Sequence, residues 1–222
     1  MAESTLLNNQ SQTMKTMKKL VLSLFLVCLG LPMAAQTNED AKYLAGAVTG
    51  NEAGYVELTK KYRVEGKTQG EIYSLLKKYA KEQLVEGPDH LPQARIQDAD
   101  SAQGLVVGGI EEYLYFKRTP LVNHRVHFYY QIIFTASDGG FKVQMRNLRY
   151  LYDDIPNAEV YRAEDWITDS EALNKSKTKL LRLPGKFRRF TIDRKDAIFR
   201  GAARATGAIR TVVKEVVVEE EE

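Results

Sequence analysis

Residues 124–135 read HRVHFYYQIIFT. Val126, Phe128, Tyr130, Ile132 and Phe134 fall on one side of an extended chain, and His127, Tyr129, Gln131, Ile133 and Thr135 on the other. Period-two alternation over this length predicts a strand with one face against a core. The stretch is the middle of three consecutive strands spanning Gly104 to Tyr152. Ahead of it, Gly104–Phe116 sets Ile110, Glu112, Leu114 and Phe116 against Glu111, Tyr113 and Tyr115. Behind it, Ser137-Asp138-Gly139-Gly140 places Asp-Gly between alternating segments, a strong hairpin signal because both turn residues accept positive φ.

Two irregularities mark this sheet. Phe141, Val143 and Met145 are odd-numbered, whereas Leu148, Tyr150 and Tyr152 are even-numbered. One extra residue at Arg146-Asn147 returns all six to one face, which is what a β-bulge does. Gly108-Gly109 signals a bulge or a close backbone approach, and no Lys-Ser or Lys-Thr pair follows that would make it a phosphate loop.

Working outward, Tyr55–Val64 predicts a strand, with Val56, Leu58, Tyr62 and Val64 on its buried face. Thr68-Gln69-Gly70-Glu71 has the form of a capping box. Ile72, Leu75, Leu76, Tyr79, Ala80 and Leu84 then recur at helical spacing, so residues 69–86 predict a helix ended by Gly87-Pro88. Ala94–Ser101 predicts a shorter strand, Ala94, Ile96 and Asp98 alternating against Arg95, Gln97 and Ala99. After Asp153-Asp154 the composition turns acidic, and Ala163–Ala172, with the only tryptophan, Trp166, predicts short helical turns. Lys175–Lys214 then holds thirteen basic residues against Asp193 and Asp196. Within it, Asp193–Lys214 predicts a second long helix capped by Thr191, with Ile198, Ala202, Ala205, Ile209 and Val212/Val213 as its apolar stripe. The order β-α-β-β-β-β-α predicts an α+β class, a twisted antiparallel sheet with two helices packed on one face.

Of the 222 residues, 44% are hydrophobic and 27% charged, enough for a core and ordinary for a globular domain. The formal net charge of +3 argues against a dedicated nucleic-acid binder. Lys15, Lys18 and Lys19 precede an apolar run, Leu20–Leu31, and Pro32–Gln36 supplies a helix breaker and small residues. This is the pattern of a secretory signal peptide, with cleavage expected after Ala35. The apolar run is short for a transmembrane helix. Residues 1–13 read as an over-long start, with Met14 or Met17 as initiator. The expected divisions are therefore 1–35 signal peptide, 36–54 leader, 55–214 a single domain and 215–222 an acidic, solvated tail. The only cysteine, Cys28, lies in the apolar run after Val27, which is not the small residue a lipobox wants, so lipid attachment is disfavoured. Cleavage after Ala35 leaves a chain without disulfides, thiolate metal sites or cysteine nucleophiles. It also removes three lysines and Glu3, bringing the net charge close to neutral.

Several stretches together carry a family resemblance. They are Tyr43-Leu44-Ala45-Gly46-Ala47-Val48, Lys67-Thr68-Gln69-Gly70-Glu71-Ile72-Tyr73, Tyr113-Leu114-Tyr115-Phe116, Glu164-Asp165-Trp166-Ile167 and the run from Gly185 to Asp193 (GKFRRFTID). Over roughly residues 40–214 the chain resembles a Bacteroidetes family of exported proteins known as a domain of unknown function with a TBP-like fold. The resemblance implies that fold and an export route. It implies no catalytic residues, and the fold label carries no DNA binding with it.

Candidate sites are few. His124 and His127 are three apart on a strand and point to opposite faces, so they do not share a metal ion, and His90 is distant in sequence. Asp153-Asp154 reads as a turn or helix start rather than an acid/base pair. No serine stands in a nucleophile-elbow context, and no pattern calls for a cofactor. Two readings remain. Lys186, Arg188, Arg189, Arg194, Lys195, Arg200 and Arg204 would form a basic surface for an anionic envelope surface or another exported protein. Alternatively, Val126, Phe128, Tyr130, Ile132 and Phe134 would line an apolar pocket if the helices leave a gap above them. The expectation is an exported, periplasmic or secreted binding or accessory protein; a carrier of a small lipid-like ligand comes second and an unrecognised hydrolase third.

Overall fold

The chain folds around β4 (Asn123–Ser137), the strand containing the stretch quoted above. The structure, a computed structural model, describes residues 41–119, 121, 123–152 and 159–209. The expected signal peptide, the first residues of the expected leader, Asp153-Asp154, Val212/Val213 and the expected acidic tail lie outside the described residues.

Six antiparallel strands make one sheet in the order β1-β5-β4-β3-β2, with the short β6 also pairing β5. They are β1 (Glu57–Arg63), β2 (Arg95–Asp100), β3 (Leu105–Arg118), β4, β5 (Gly140–Leu151) and β6 (Val160–Arg162). β6 adds a strand to the predicted order. It pairs Arg149–Leu151, while β1 pairs Gly140–Arg146, so the two share one edge of β5 end to end.

Side-chain alternation on β4 is as read. Val126, Phe128, Ile132 and Phe134 are fully buried and Tyr130 is 3% exposed. The ladder confirms the bulge on β5. Tyr129 faces Arg149 and Gln131 faces Arg146, so β5 spends one more residue than β4 over this span. Asn147 takes φ 56° there, and Phe141, Val143, Met145, Leu148 and Tyr150 all reach the core. A second bulge lies on β2. Ile96 faces Gly108 and Asp98 faces Val107, leaving Gln97 as the extra residue opposite the paired glycines. Asp98, not Ala99, therefore shares the outer face with Arg95, which the simple alternation of β2 did not show.

Gly139 closes the β4–β5 hairpin at φ 72°. A side chain there is forced left-handed, so Gly139→Val is expected to cost about 1–2 kcal/mol, read as a lowered urea midpoint with an unchanged slope. An unchanged midpoint would contradict this role for the turn.

Two helices cover the even-numbered face of β3 and β4. α1 (Gln69–Tyr79) starts on the predicted capping box: the Thr68 amide donates to Glu71 Oε2 at 2.8 Å and the Glu71 amide donates to Thr68 Oγ1. The helix continues as a π-helical segment, Ala80–Val85. Ile72, Leu76, Ala80 and Leu84 face the sheet. The predicted turns in 163–172 appear as a 3-10 turn, Ala163–Asp165, and a short α2, Asp169–Ala172.

The last helix, α3 (Pro184–Thr206), differs from expectation. It starts nine residues earlier than predicted, with Pro184 in its first turn, where the missing N–H is harmless. Gly207 ends it at φ 84°. Thr191 is not a cap. It lies inside the helix, fully buried, and its hydroxyl shares a 2.7 Å hydrogen bond with Tyr150. The buried stripe runs through Phe187, Thr191, Ile192, Ile198, Phe199, Ala202, Ala203 and Thr206, while Ala205 and Ile209 are exposed. Aromatic packing joins this helix to the sheet: Phe128 stacks on Tyr150 at 5.2 Å and Phe187 meets Tyr150 edge-on at 5.0 Å.

Candidate functional site

The basic residues of α3 are dispersed by the fold. Arg188 is not on the surface; it is 0% exposed. Its guanidinium donates to the carbonyls of Tyr43, Leu44 and Ile167 and to Asp169 Oδ1, at 2.6–2.8 Å. It is a cross-link between the leader, α2 and α3, and the planar five-donor fork of arginine suits that task. Burial alone would raise the Asp169 carboxyl, but the Gly46 amide, Arg188 and Lys177 outweigh it and hold the group below its ordinary range.

Arg194 also points inward. Its Nε and Nη2 grip Glu112 at 2.7 and 2.5 Å, and the Tyr130 hydroxyl donates to the same carboxylate at 2.9 Å. Glu112 is 3% exposed on the core side of β3. Burial, with Glu112 beside it, pushes the Tyr130 hydroxyl well up, and burial takes Tyr79 to about 12. Glu112 and Arg194 line a cavity of about 310 Å³ together with Tyr79, Gln83, Gly87 and His90. Lys186 lies over the Phe116 ring and within 3.1 Å of His124 Nδ1. Arg189 sits over Tyr43 at 4.6 Å, and Lys195 bridges Asp196 at 2.7 Å. Arg200 and Arg204 are exposed.

The five apolar side chains of β4 are covered by α1 and α3 and belong to one packed cluster. His124 and His127 lie on opposite faces, His124 among Phe116, Tyr152 and Lys186, His127 on the outer face. Among the described residues no group of three or more His, Cys, Asp or Glu is placed to hold a metal ion. Nor is any helix there long and apolar enough to cross a membrane, which says nothing of strands.

With the helix side closed, the polar chemistry gathers on the outer, odd-numbered face. His127 contacts Glu111 Oε1 at 3.2 Å and sits edge-on to Tyr113 at 4.9 Å. Arg125 covers Tyr113 at 3.6 Å and Arg118 covers Tyr115 at 4.6 Å, cation–π contacts that hold both rings against the sheet. Beside them lies a depression of about 230 Å³, its rim including Arg95, Gln97, Asn147 and Arg149, its floor Tyr129 and Gly109.

The two bulges make this depression. The extra residue on β2 is Gln97 and the extra residue on β5 lies at Asn147, and both open onto it from opposite sides. Bulges re-aim side chains in this way, and a non-glycine residue at positive φ, as Asn147 is, recurs at functional sites. Gly109 leaves room for Gln97: a Cβ there would stand 2.3 Å from Gln97 Nε2 and would displace the end of that side chain. None of these rim residues stood out in the sequence, although Gly108-Gly109 and the broken phase of β5 each marked one side.

Fold and site define an α+β domain whose six-stranded antiparallel sheet is closed by helices on one face and presents arginines, tyrosines and amides on the other. The sequence profile of the domain of unknown function (DUF4468) with TBP-like fold matches residues 59–151. A DUF4468 family protein from Bacteroides ovatus ATCC 8483, known from its crystal structure, is similar over 78% of this chain and 98% of its own, with 37% identity and a TM-score of 0.70. A TBP-like protein from Parabacteroides distasonis ATCC 8503 is similar over 71% of this chain and 96% of its own, with 18% identity and a TM-score of 0.58, a likeness of fold. Comparison with curated proteins finds no match. The chain belongs to the DUF4468 family.

Proposed function

We propose that this is an exported, non-catalytic binding or accessory protein of the cell envelope, and that it engages its partner through the outer face of the sheet. Export rests on the signal-peptide pattern of residues 15–36. The observation that carries the binding face is the depression bracketed by the two bulges, with Arg95 and Arg149 at its rim. The partner is an acidic segment of another exported protein: a side chain enters such a depression, whereas a lipid surface only lies across it. Electrostatic steering by the flanking arginines favours such a partner. The basic run on α3 supports this role less, since Arg188, Arg194 and Lys195 are paired internally. Complete burial of Val126, Phe128, Ile132 and Phe134 gives the apolar-ligand alternative no support.

Native mass spectrometry of the protein purified from its own host tests this reading. The expected result is a retained partner that is lost in Arg95→Glu/Arg149→Glu and kept in Arg200→Glu/Arg204→Glu. Loss from the helix variant alone would move the site to α3. A lipid-sized mass retained by both variants would restore the pocket reading.

A further inference from the structure

We infer that the depression between the β2 and β5 bulges is a carboxylate-recognition site, an inference that rests on the outer-face reading above. The argument is one of donor supply. Arg146 Nε donates to Gln131 Oε1 at 2.8 Å, and Gln131 Nε2 donates to Gln97 Oε1 at 2.9 Å. An arginine has no acceptor, so the direction of this chain is set at its first link: Gln131 must turn its oxygen to Arg146 and its amide to Gln97. Gln97 must in turn present its oxygen to Gln131. The chain therefore ends on Gln97 Nε2, above Gly109, with no acceptor among the described residues. A hydrogen-bond chain that begins at a cation is polarised along its length, which strengthens its last donor.

Around this end stand two further donors, Arg95 and Arg149. Arg95 spends one N–H on the Gln93 carbonyl at 3.2 Å and retains the rest of its fork. Arg149, exposed on the far rim, holds its guanidinium 6.0 Å from the Tyr129 ring. The one carboxylate among the lining residues, Glu111, is paired with His127 at 3.2 Å. A ligand that fits must bring acceptors and negative charge, and two guanidinium groups flanking an amide donor match the planar pair of oxygens of a carboxylate. The volume of about 230 Å³ admits a carboxylate on a short carbon chain. Either a free small acid or the glutamate side chain of a partner polypeptide supplies that chemistry.

The test is a titration of the full mature protein, followed by NMR of the Gln97 side-chain amide. The probes are succinate, as a small free acid, and a capped tetraglutamate peptide. Each is also titrated into Gly109→Ala, whose Cβ displaces the flexible end of Gln97, and into Arg149→Met at an exposed position. Neither change touches the core, and unchanged thermal midpoints verify that the variants fold. The expected result is a saturable shift of the Gln97 amide that weakens with salt and requires at least tenfold more ligand in both variants. Equal response to succinate and peptide assigns a small-acid site; at least tenfold tighter peptide binding assigns a partner's acidic segment. No shift with either probe, or wild-type affinity in both variants, overturns the inference. If the host partner is nevertheless lost in Arg95→Glu/Arg149→Glu, the outer face remains the binding face and only the carboxylate assignment falls.

Discussion

Replacing Arg188 with methionine is expected to destabilise the protein by about 3–5 kcal/mol, the scale for removing one partner of a buried ion pair. That is a large share of the roughly 5–15 kcal/mol that holds a domain folded. The side chain is fully buried, and its loss removes the guanidinium donors from the Tyr43, Leu44 and Ile167 carbonyls and from Asp169 Oδ1. Arg188→Lys should recover a minor part, because a lysine offers a point charge where three carbonyls and a carboxylate need a fork. Urea denaturation checks both. A loss below about 1 kcal/mol for the methionine variant would show that the cross-link is dispensable. The same site predicts a pH effect. The folded state holds Asp169 below its ordinary range, so its contribution is complete above about pH 4 and is lost as pH falls through the depressed value. The wild type should therefore lose stability more steeply below pH 4 than Arg188→Met does.

The second large effect is at Arg194. Arg194→Met strands Glu112, whose side chain is 4% exposed, and the expected cost is about 3 kcal/mol at pH 7. The lower end of the range applies because Arg194 itself is 31% exposed. The cost is that of a buried charge without its partner, so the deficit relative to wild type should narrow in acid, where that charge is lost. Glu112→Gln/Arg194→Met removes the charge along with its partner and should be more stable than Arg194→Met alone at pH 7. A double variant no better than the single would mean that packing of the arginine stem, not charge, is what the pair contributes.

Local pattern was enough wherever the physics is local. The two faces of β4, the Thr68–Glu71 cap, the Gly139 turn and the bulge at Arg146-Asn147 all follow from residues within a few positions of each other. The start of α3 does not, because Pro184-Gly185 resembles a turn and the buried positions Arg188 and Thr191 carry polar residues. Their meaning depends on Tyr43, Tyr150 and Asp169, which are distant in sequence. For the same reason a run of cations on one helix looked like a surface, when Arg188, Arg194 and Lys195 are spent on Asp169, Glu112 and Asp196. The outer depression was half legible. The β5 bulge showed in the broken phase of its apolar residues, but Ile96 and Asp98 concealed the β2 bulge by keeping a regular alternation. Only the pairing of β2 with β3 shows that Gln97 is extra.

Hydroxyl-radical footprinting of the partner-bound protein tests most directly whether the open side of the sheet is where binding occurs. Tyr113, Tyr115 and Tyr129 report on the outer face, and Phe190 and Trp166, equally half-buried, report on the helix side. The expected result is protection of the three tyrosines with Phe190 and Trp166 unchanged. Protection of Phe190 or Trp166 with the tyrosines still reactive would place the partner on the helices and contradict the assignment of the outer face.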